Sequence, residues 1–280
     1  MQTSNDGYTL LDFGCGRKLE QFDNVIVDRP EILALGNKTM PQNLWNKAVA
    51  VYLEKPKEVG VWNKKGDIKD SWICDFPLGE KTFKLQLSLG KFKHLGVFPE
   101  QLKHWNYLFE NLSKGKKLLN LFGYTGAASL AGALAGAEVF HVDSSKSILK
   151  VARENAKLNK IANIHWVQED ALKFALREGR RQNRYDIIVM DPPIFGRGRK
   201  GEIWKLEEGL EHLVKVASEL LVKTGTLILN TYSPKLELEE MIQVCKKYNL
   251  QCTDSGWLSV STSRNDTLNL SKYVLATCSR

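Results

Sequence analysis

Few features of the sequence belong to a secreted, metal-binding or membrane-spanning protein. The five cysteines are an odd number without a C-x-x-C pair, and the five histidines are scattered along the chain. We therefore expect no disulfide framework and no metal site, as in a reducing compartment. Every apolar run is far too short to cross a bilayer, and "MQTSNDGYTL" has neither the basic start nor the apolar core of a secretory signal. These absences predict a cytoplasmic protein with no membrane partner.

Positive charge is concentrated in the later part of the sequence. The chain carries a formal net charge of +8, while residues 1–90 hold 12 basic and 12 acidic side chains. Residues 173–205 alone hold nine basic side chains against four acidic ones. A local excess of this kind is expected where a polyanion such as RNA binds. A solvated helix face followed by a charged loop would give the same composition.

The sequence divides into two regions of different pattern. Residues 1–90 contain short apolar or alternating runs between Gly, Pro, Asn and Lys clusters, which predict a small β-rich accessory domain that could bind RNA or another substrate. Over residues 91–280, strand-like and helix-like segments alternate. Five strands separated by helices, followed by two closing strands, predict a Rossmann-like, doubly wound, mostly parallel α/β sheet of seven strands, with the closing strands antiparallel at one edge.

Two glycine-containing loops compete as the cofactor site. The first, "LLDFGCGRK" at residues 10–18, is followed by "NVIVD" after only eight residues, which is too few for the crossover helix of a parallel pair. We therefore interpret it as a strand and a turn. The second, "LLNLFGYTGAASLAGALAGAEVFHVD" at residues 118–143, offers a strand, a loop, a helix of small residues and another strand in the required order. The second loop is predicted to hold the cofactor.

The residues of this second loop suit a nucleotide cofactor. Gly123 and Gly126 let the backbone approach closely, and the helix that begins near Ala127 directs free N–H groups towards an anionic group. Asp143 ends the next strand and can accept hydrogen bonds from two ribose hydroxyls. Asp170 follows the third strand, where it can accept from an adenine amine. Because the loop reads G-x-x-G and lacks the three-glycine fingerprint, a nicotinamide dinucleotide is disfavoured.

A further motif, Asp-Pro-Pro, follows the fourth strand. Asp191 ends this strand, and Pro192 and Pro193 fix the backbone beyond it. A carboxylate and free carbonyls in this place could hold a planar nitrogen-bearing ring or an amine beside a methyl donor. Hydride transfer has no evident use for such a group. A turn that merely ends the strand is the alternative interpretation.

These segments resemble a known family. "LNLFGYTGAASLAGALAGAEVFHVDSSKSILKVARENAKLN" and "DPPIFGRGRKGEIWKLEEGL" resemble the class I S-adenosylmethionine-dependent methyltransferases, and more narrowly the bacterial family related to the 23S rRNA large-subunit methyltransferases that modify cytosine C5 or guanine N7. The resemblance runs from about residue 90 to 235 and includes "KHLGVFPEQLKHW" at residues 93–105. It implies S-adenosylmethionine as the cofactor, with Asp191, Pro192 and Pro193 bordering the target atom as catalytic residues. The cofactor-binding residues that it implies are Phe98, Gln101, Phe122, Gly123, Tyr124, Thr125, Gly126, Asp143, Ser144, Asp170, Ala171 and Asp191.

The sequence departs from this family at one informative place. Its cytosine-C5 members attack the base with a cysteine thiolate after the fifth strand, where this sequence reads "LNTYSPKL" with Tyr232 in the cysteine position. Carbon-5 of cytosine is a poor nucleophile until a covalent adduct forms. We therefore expect methylation of a nitrogen, which needs mainly positioning. Cys245 and Cys252 lie further along the chain and are interpreted as packing residues.

The loop after the Asp-Pro-Pro motif supplies the expected substrate contacts. Arg197, Arg199 and Lys200 could contact phosphates, and Phe195 or Trp204 could stack on a base. Packing of both rings within the protein is the alternative. The sequence thus predicts an S-adenosylmethionine-dependent methyltransferase that modifies a nitrogen of a base in RNA, most directly rRNA. The remaining alternatives are a protein or small-molecule substrate, cytosine-C5 methylation with an atypical nucleophile, and a non-catalytic RNA-binding protein.

Overall fold

The structure is a computed structural model that describes residues 7–55, 58–197 and 203–279. The chain forms two compact units. The first, called the N-terminal unit, contains Met1–Glu100 and Ser259–Leu270, and the second, called the sheet unit, contains Gln101–Leu258 and Ser271–Arg280. Within the described residues, no helix is both long enough and apolar enough to cross a membrane.

The N-terminal unit is built mainly from strands, as the sequence predicts. Strands β1 to β5 form one sheet in chain order, and β6 and β7 form a separate antiparallel pair. A short helix, α1, lies between β3 and β4. The elements are β1 (Tyr8–Gly14), β2 (Arg17–Phe22), β3 (Val25–Pro30), α1 (Gln42–Trp45), β4 (Ala50–Lys55), β5 (Glu58–Lys64), β6 (Ser71–Leu78) and β7 (Lys81–Ser88).

The "LLDFGCGRK" stretch is a strand and a turn, and one detail of its interpretation is corrected. The segment treated as a connection, Arg17–Phe22, is itself strand β2, which pairs antiparallel with both β1 and β3. The turn at Cys15 and Gly16 has positive φ angles of 53° and 73°, and Cys15 is exposed. Asp12 is buried, and its Oδ2 accepts hydrogen bonds from the Met40 N–H at 2.9 Å and the Trp45 indole N–H at 2.8 Å. This stretch therefore anchors the N-terminal unit.

The sheet unit alternates strands with helices. A 3-10 turn at Pro99–Gln101 leads into its first helix. The tip of the last two strands, Ser259–Leu270, belongs to the N-terminal unit. The elements are α2 (Leu102–Asn111), β8 (Lys117–Leu121), α3 (Ala127–Leu134), β9 (Glu138–Asp143), α4 (Lys146–Leu158), β10 (Ile164–Gln168), α5 (Ala171–Arg180), β11 (Tyr185–Met190), β12 (Phe195–Arg197), β13 (Ile203–Lys205), α6 (Leu206–Leu220), β14 (Leu221–Thr231), α7 (Leu238–Lys247), β15 (Leu250–Ser261) and β16 (Thr267–Cys278).

The predicted seven-stranded sheet is confirmed. Its order is β10-β9-β8-β11-β14-β16-β15, and the first five strands are parallel. Strand β16 runs antiparallel to β14, and β15 forms the outer edge beyond it. The parallel strands are continuous apolar runs because helices cover both faces of the sheet. Five parallel strands therefore end at one edge, which we call the carboxyl edge.

Local sequence signals fix the helices around this edge. The small residues of α3 let it lie against the sheet, and a Cβ added at Gly132 would stand 2.5 Å from a methyl of Leu118. Helix α4 begins at Ser145, whose hydroxyl accepts from the Ile148 N–H. Helix α5 begins at Asp170, whose carboxylate accepts from the Lys173 N–H at 2.9 Å. These caps satisfy N–H groups that the first helical turn leaves without partners.

Candidate active site

The carboxyl edge of the sheet unit collects residues that are far apart in the sequence. Phe122 follows β8, Asp143 ends β9, Asp170 follows β10, Asp191 follows β11 and Tyr232 follows β14. Ligands of open α/β sheets bind at this edge, because the loops there diverge and leave a crevice. The residues that the sequence analysis placed at the strand ends therefore all lie at the carboxyl edge of the seven-stranded sheet.

The loop between β8 and α3 has an unusual backbone. Phe122 and Tyr124 have positive φ angles of 58° and 49°, and Gly126 has one of 97°. Non-glycine residues in this region cost energy and cluster at ligand-binding loops. Two backbone hydrogen bonds stabilise the loop. The Gly123 N–H donates to Val142 O at 2.9 Å, and the Gly126 N–H donates to Gly123 O at 3.1 Å. The loop is therefore a fixed cradle at the start of α3.

A buried polar chain supports this loop from below, and the sequence analysis did not anticipate it. The Asn120 amide donates to Ser129 Oγ at 2.9 Å, and Ser129 Oγ lies 2.9 Å from His141 Nδ1. Burial lowers the pKa of His141 to about 3, so the ring is neutral. A Cβ at Gly123 would stand 2.6 Å from His141 Nδ1. Gly123 is therefore required because its backbone rests on the imidazole.

Asp143 is tied to the loop on one side and to α4 on the other. Its Oδ2 accepts from the Tyr124 N–H at 3.1 Å, and its Oδ1 accepts from the Ser145 N–H at 2.8 Å. Burial raises the pKa of Asp143, and the two N–H donors oppose that shift. Each carboxylate oxygen can accept two hydrogen bonds. A further acceptor site on each oxygen therefore suits the two hydroxyls of a ribose.

The residues after β10 have structural partners. Asp170 caps α5 through one oxygen, and Ala171 is buried in the first turn of that helix. Glu169 forms an ion pair with Arg177. The amide of Gln168 donates to the backbone carbonyl of Ser144 at 3.4 Å. The segments at Ser144 and Asp170 are thus joined at the carboxyl edge.

The side chains of three residues from different segments, Gln101, Asp191 and Tyr232, form one cluster, which we call the Asp191 cluster. The Gln101 amide nitrogen donates to Asp191 Oδ2 at 2.7 Å and to the Tyr232 hydroxyl at 3.2 Å. All three side chains are half-buried. The tyrosine in the position of the family's cysteine therefore lies in the same cluster as the Asp-Pro-Pro motif. The two cysteines interpreted as packing residues lie on other elements. Cys245 is buried on α7, where burial raises its pKa to about 12, and Cys252 lies half-buried on β15.

The prolines after Asp191 are held by Trp204. Its indole N–H donates to the Pro193 carbonyl at 2.7 Å, so this carbonyl is not free as the sequence suggested. The Trp204 ring packs on Phe122 with centroids 5.6 Å apart. Phe195 is 53% exposed, whereas Trp204 is half-buried. Of the two aromatic candidates for base stacking, Phe195 has the accessible face and Trp204 is a packing residue.

The segment after the prolines is partly a hairpin and not only a loop. Strands β12 and β13 pair antiparallel from Phe195↔Lys205 to Arg197↔Ile203. Arg199 and Lys200 lie outside the described residues, and of Arg197 only the backbone is described. Phe98 lies in the N-terminal unit, where its ring packs on His94 with centroids 5.3 Å apart.

The basic residues of 173–205 whose side chains the structure describes do not all lie at one edge of the sheet. Helix α5 runs from Asp170 at the carboxyl edge to Arg180, close to the start of β11. Arg180 and Arg184 therefore precede β11, while Asp191 follows it, roughly 20 Å further along the strand. Three of the other cations form ion pairs, namely Arg177 with Glu169, Arg181 with Glu178 and Lys205 with Glu208. A charge count along the sequence therefore adds together side chains, such as those of Arg184 and Asp191, that lie at opposite edges of the sheet.

The residues at the carboxyl edge fit S-adenosylmethionine. Asp143 offers acceptors for a ribose, and the first N–H groups of α3 lack acceptors within the helix and have no side-chain cap at Gly126. Within the described ranges, no group of three His, Cys, Asp or Glu side chains could hold a metal ion. A seven-stranded sheet with a G-x-x-G cradle, an acid at the end of the strand after the cradle and Asp-Pro-Pro after the fourth strand is typical of a methyltransferase of the Rossmann-like class.

Comparison with known proteins gives the family. The model of the S-adenosylmethionine-dependent methyltransferase family matches residues 51–247, and the chain belongs to this family. The predicted cofactor and enzyme class are thereby confirmed. The crystal structure of the SAM-dependent methyltransferase from Agrobacterium tumefaciens has a TM-score of 0.90 and 35% identity, covering 99% of this chain and 92% of that one.

Curated relatives are longer proteins. The "Ribosomal RNA large subunit methyltransferase K/L" of Shewanella oneidensis is 31% identical over 186 residues, which are 65% of this chain and 26% of that protein. The protein of the same name from Alteromonas mediterranea is 33% identical over 164 residues, which are 58% of this chain and 23% of that protein. The chain thus spans about a quarter of the length of these relatives.

Proposed function

We propose that this protein transfers a methyl group from S-adenosylmethionine to a nitrogen of an RNA base, with rRNA as the first candidate substrate. The observation that carries the proposal is the cluster at Asp191. A carboxylate and a tyrosine hydroxyl stand together there, and Tyr232 replaces the thiol that cytosine-C5 chemistry requires. The buried Cys245 does not replace that thiol, since its raised pKa keeps it protonated.

The chain's own residues would divide the work of the reaction. When bound, S-adenosylmethionine supplies a methyl group on a positively charged sulfur, which keeps the C–S electron pair when the methyl leaves. Asp143 and the cradle from Phe122 to Gly126 would hold the ribose and the anionic end. Asp191 would orient the target nitrogen. If that nitrogen carries a hydrogen, the Asp191 carboxylate would accept its hydrogen bond and take up its proton once the methyl group has been transferred. Pro192 and Pro193 fix the Asp191 backbone, and Trp204 holds Pro193 in place.

Three features support RNA as the substrate. The curated relatives carry the name of rRNA methyltransferases, and Phe195 presents an exposed ring next to the Asp-Pro-Pro motif. Helix α4 carries four exposed cations on one face, at Lys146, Lys150, Arg153 and Lys157. The first three form no ion pair within the described part of the chain, so they suit a phosphate backbone. We assign residues 91–280 to catalysis and residues 1–90 to substrate binding.

A labelling experiment tests the substrate class. The protein is incubated with tritiated S-adenosylmethionine and, separately, with total RNA or total protein. We expect acid-precipitable label in RNA that ribonuclease releases. Label in protein alone would refute the RNA proposal, and the absence of cofactor binding in titration calorimetry would refute the enzyme.

A further inference from the structure

The hairpin of β12 and β13 has two different faces. Side chains alternate between the faces of a strand, and residues paired across two strands share a face. Phe195 is paired with Lys205, and Gly196 is paired with Trp204. Phe195 and Ile203 are exposed, whereas Trp204 is half-buried and packs against the core of the sheet unit. One face of the hairpin therefore presents apolar side chains to solvent, and Trp204 anchors the other.

Trp204 lies in a closely fitted slot on the inner side of the hairpin. Its indole N–H donates to the Pro193 carbonyl at 2.7 Å, and its ring packs on Phe122 with centroids 5.6 Å apart. The third wall of the slot is Gly209 on α6, where an added Cβ would stand 2.4 Å from the Trp204 ring. Glycine weakens a helix relative to alanine. The close approach of the indole therefore accounts for a glycine at this position.

Phe122 connects this slot to the cofactor loop. It is the first residue of the cradle between β8 and α3, and its φ angle of 58° lies in the left-handed region. Such a backbone is held in place by its surroundings, and a ligand seated on the cradle adds to them. Trp204 contacts Phe122 on one side and the Pro193 carbonyl on the other, two residues before Phe195. One indole thus joins the cofactor loop to the strand that presents the exposed ring.

We propose that Trp204 couples the cofactor loop to the hairpin, so that S-adenosylmethionine and RNA raise each other's affinity. The inference rests on the proposed function for the identity of RNA, and it makes Trp204 a positioning residue. With the cradle occupied, Phe122 is fixed, Trp204 keeps both of its contacts, and Phe195 is held at the place where a base would stack. Coupling between two sites is reciprocal, so RNA must strengthen cofactor binding by the same factor.

RNA binding with and without S-adenosylhomocysteine measures the coupling. The probe is a fluorescein-labelled single-stranded RNA of random sequence and about 12 nucleotides, within the range that single-strand sites cover, and anisotropy gives its affinity. Saturating S-adenosylhomocysteine should tighten binding about fivefold or more, the lower end of common couplings. Trp204→Phe keeps an aromatic ring against Phe122 but loses the N–H donor, so this gain should fall below about twofold. Equal affinity with and without S-adenosylhomocysteine in the unaltered protein would overturn the inference.

Two helical glycines supply a second variant and its matched control. Gly209→Ala pushes the Trp204 ring from its slot without changing the ring, and should abolish the coupling. Gly179→Ala on α5 is the control, because the nearest neighbour of the added Cβ would be Leu220 Cδ2 at 4.0 Å, and it should keep the coupling. Alanine favours the helix at both positions, so helix stability does not distinguish the variants. Coupling that persists in both Trp204→Phe and Gly209→Ala would refute the role of Trp204.

A fluorine signal separates this inference from the proposed function. The protein is labelled with 5-fluorotryptophan, and the Trp204 resonance is identified by its absence from Trp204→Phe. S-adenosylhomocysteine alone should shift this resonance, with no RNA present, and an unmoved resonance would overturn the inference. If the RNA probe does not bind and no RNA accepts tritium, the proposed function fails. The fluorine spectrum then decides by itself whether Trp204 links the cofactor loop to the hairpin.

Discussion

The side-chain nitrogen of Gln101 lies 2.7 Å from a carboxylate oxygen of Asp191, although the two residues are 90 positions apart. Gln101 precedes the first helix of the sheet unit, and Asp191 follows its fourth parallel strand. The bond joins the segment before the sheet to the Asp-Pro-Pro motif, which we propose borders the target atom. Substitutions at this edge should therefore separate binding of the cofactor from transfer of the methyl group.

Asp191 and Asp143 should affect different steps. Asp191→Ala should reduce methyl transfer by at least about 100-fold, since it removes the group that orients the target nitrogen. Its affinity for S-adenosylhomocysteine should change little. Asp143→Ala should weaken that affinity about tenfold or more, because hydrogen bonds to a charged group are lost. Titration calorimetry and a tritium transfer assay measure the two effects, with Glu208→Gln on α6 as the control. Unchanged methyl transfer in Asp191→Ala would show that Asp191 serves only in the turn that ends its strand.

Substitution of Phe195 by alanine should affect RNA binding, whereas substitution of Trp204 by alanine should affect the stability of the fold. Phe195→Ala should weaken RNA binding about tenfold with no change in the urea unfolding midpoint, because an exposed ring that stacks on a base contributes about 1–3 kcal/mol. Trp204→Ala should lower the unfolding free energy, since it removes the bond to Pro193 and the contact with Phe122. Filter binding and urea titrations distinguish them. An unaltered RNA affinity in Phe195→Ala would assign the stacking role elsewhere.

Removal of the His141 ring should partly restore the affinity for S-adenosylhomocysteine that Gly123→Ala loses. Gly123→Ala places a methyl group against the imidazole, so the cradle must shift and affinity for S-adenosylhomocysteine should fall at least tenfold. The double variant Gly123→Ala with His141→Ala restores space and should recover part of that loss. Calorimetry on the four proteins of this cycle gives the coupling. Additive losses would show that the two residues do not act through the same contact.

Acid should destabilise the sheet unit through two histidines. Burial lowers the pKa of both His104 and His141 to about 3, below the ordinary value of 6.5. Below pH 6.5 the unfolded chain takes up protons that the folded chain does not, so stability falls as the pH drops towards 3. The loss totals about 1.4 kcal/mol per histidine between pH 7.5 and 5.5, and most of it falls below pH 6.5. Urea unfolding at pH 7.5 and 5.5 measures the slope, which His104→Phe should reduce. An unchanged slope in His104→Phe would contradict the assignment.

The cations of α4 should contribute to RNA binding through charge alone. Reversal of Lys150 and Arg153 to Glu should weaken RNA binding and flatten its dependence on salt, because fewer counterions are released. Reversal of Arg180 and Arg184, which lie towards the other edge of the sheet, is the matched control and should have a smaller effect. Filter binding across a salt series checks both. Equal effects would assign binding to overall charge.

The sequence predicted the sheet well because its signals are local and repeated. Each parallel strand contains apolar residues that mark it as a strand, and Asp143 ends one of these strands while Asp191 directly follows another. Strand β2 was missed because Arg17–Phe22 lacks the apolar alternation of a half-buried strand: only Leu19 and Phe22 are apolar, and the charged Lys18 and Glu20 are buried. The charge count over residues 173–205 combined side chains that lie apart, because Arg184 precedes β11 and Asp191 follows it. The contact of Gln101 with Tyr232 depends on tertiary packing, which no spacing in the sequence encodes.

The hairpin of β15 and β16 determines how this protein can be divided into fragments that fold. Leu268 and Leu270 from its tip share a buried cluster with Leu10 and Ala34, and Arg264 is paired with Asp12. A fragment that stops at residue 100 lacks these side chains and keeps a buried aspartate without its arginine. During synthesis, the strands of the N-terminal unit emerge long before the residues that complete their core. Expression of that fragment alone therefore requires residues 259–270 to be supplied, either as a graft or as a separate peptide.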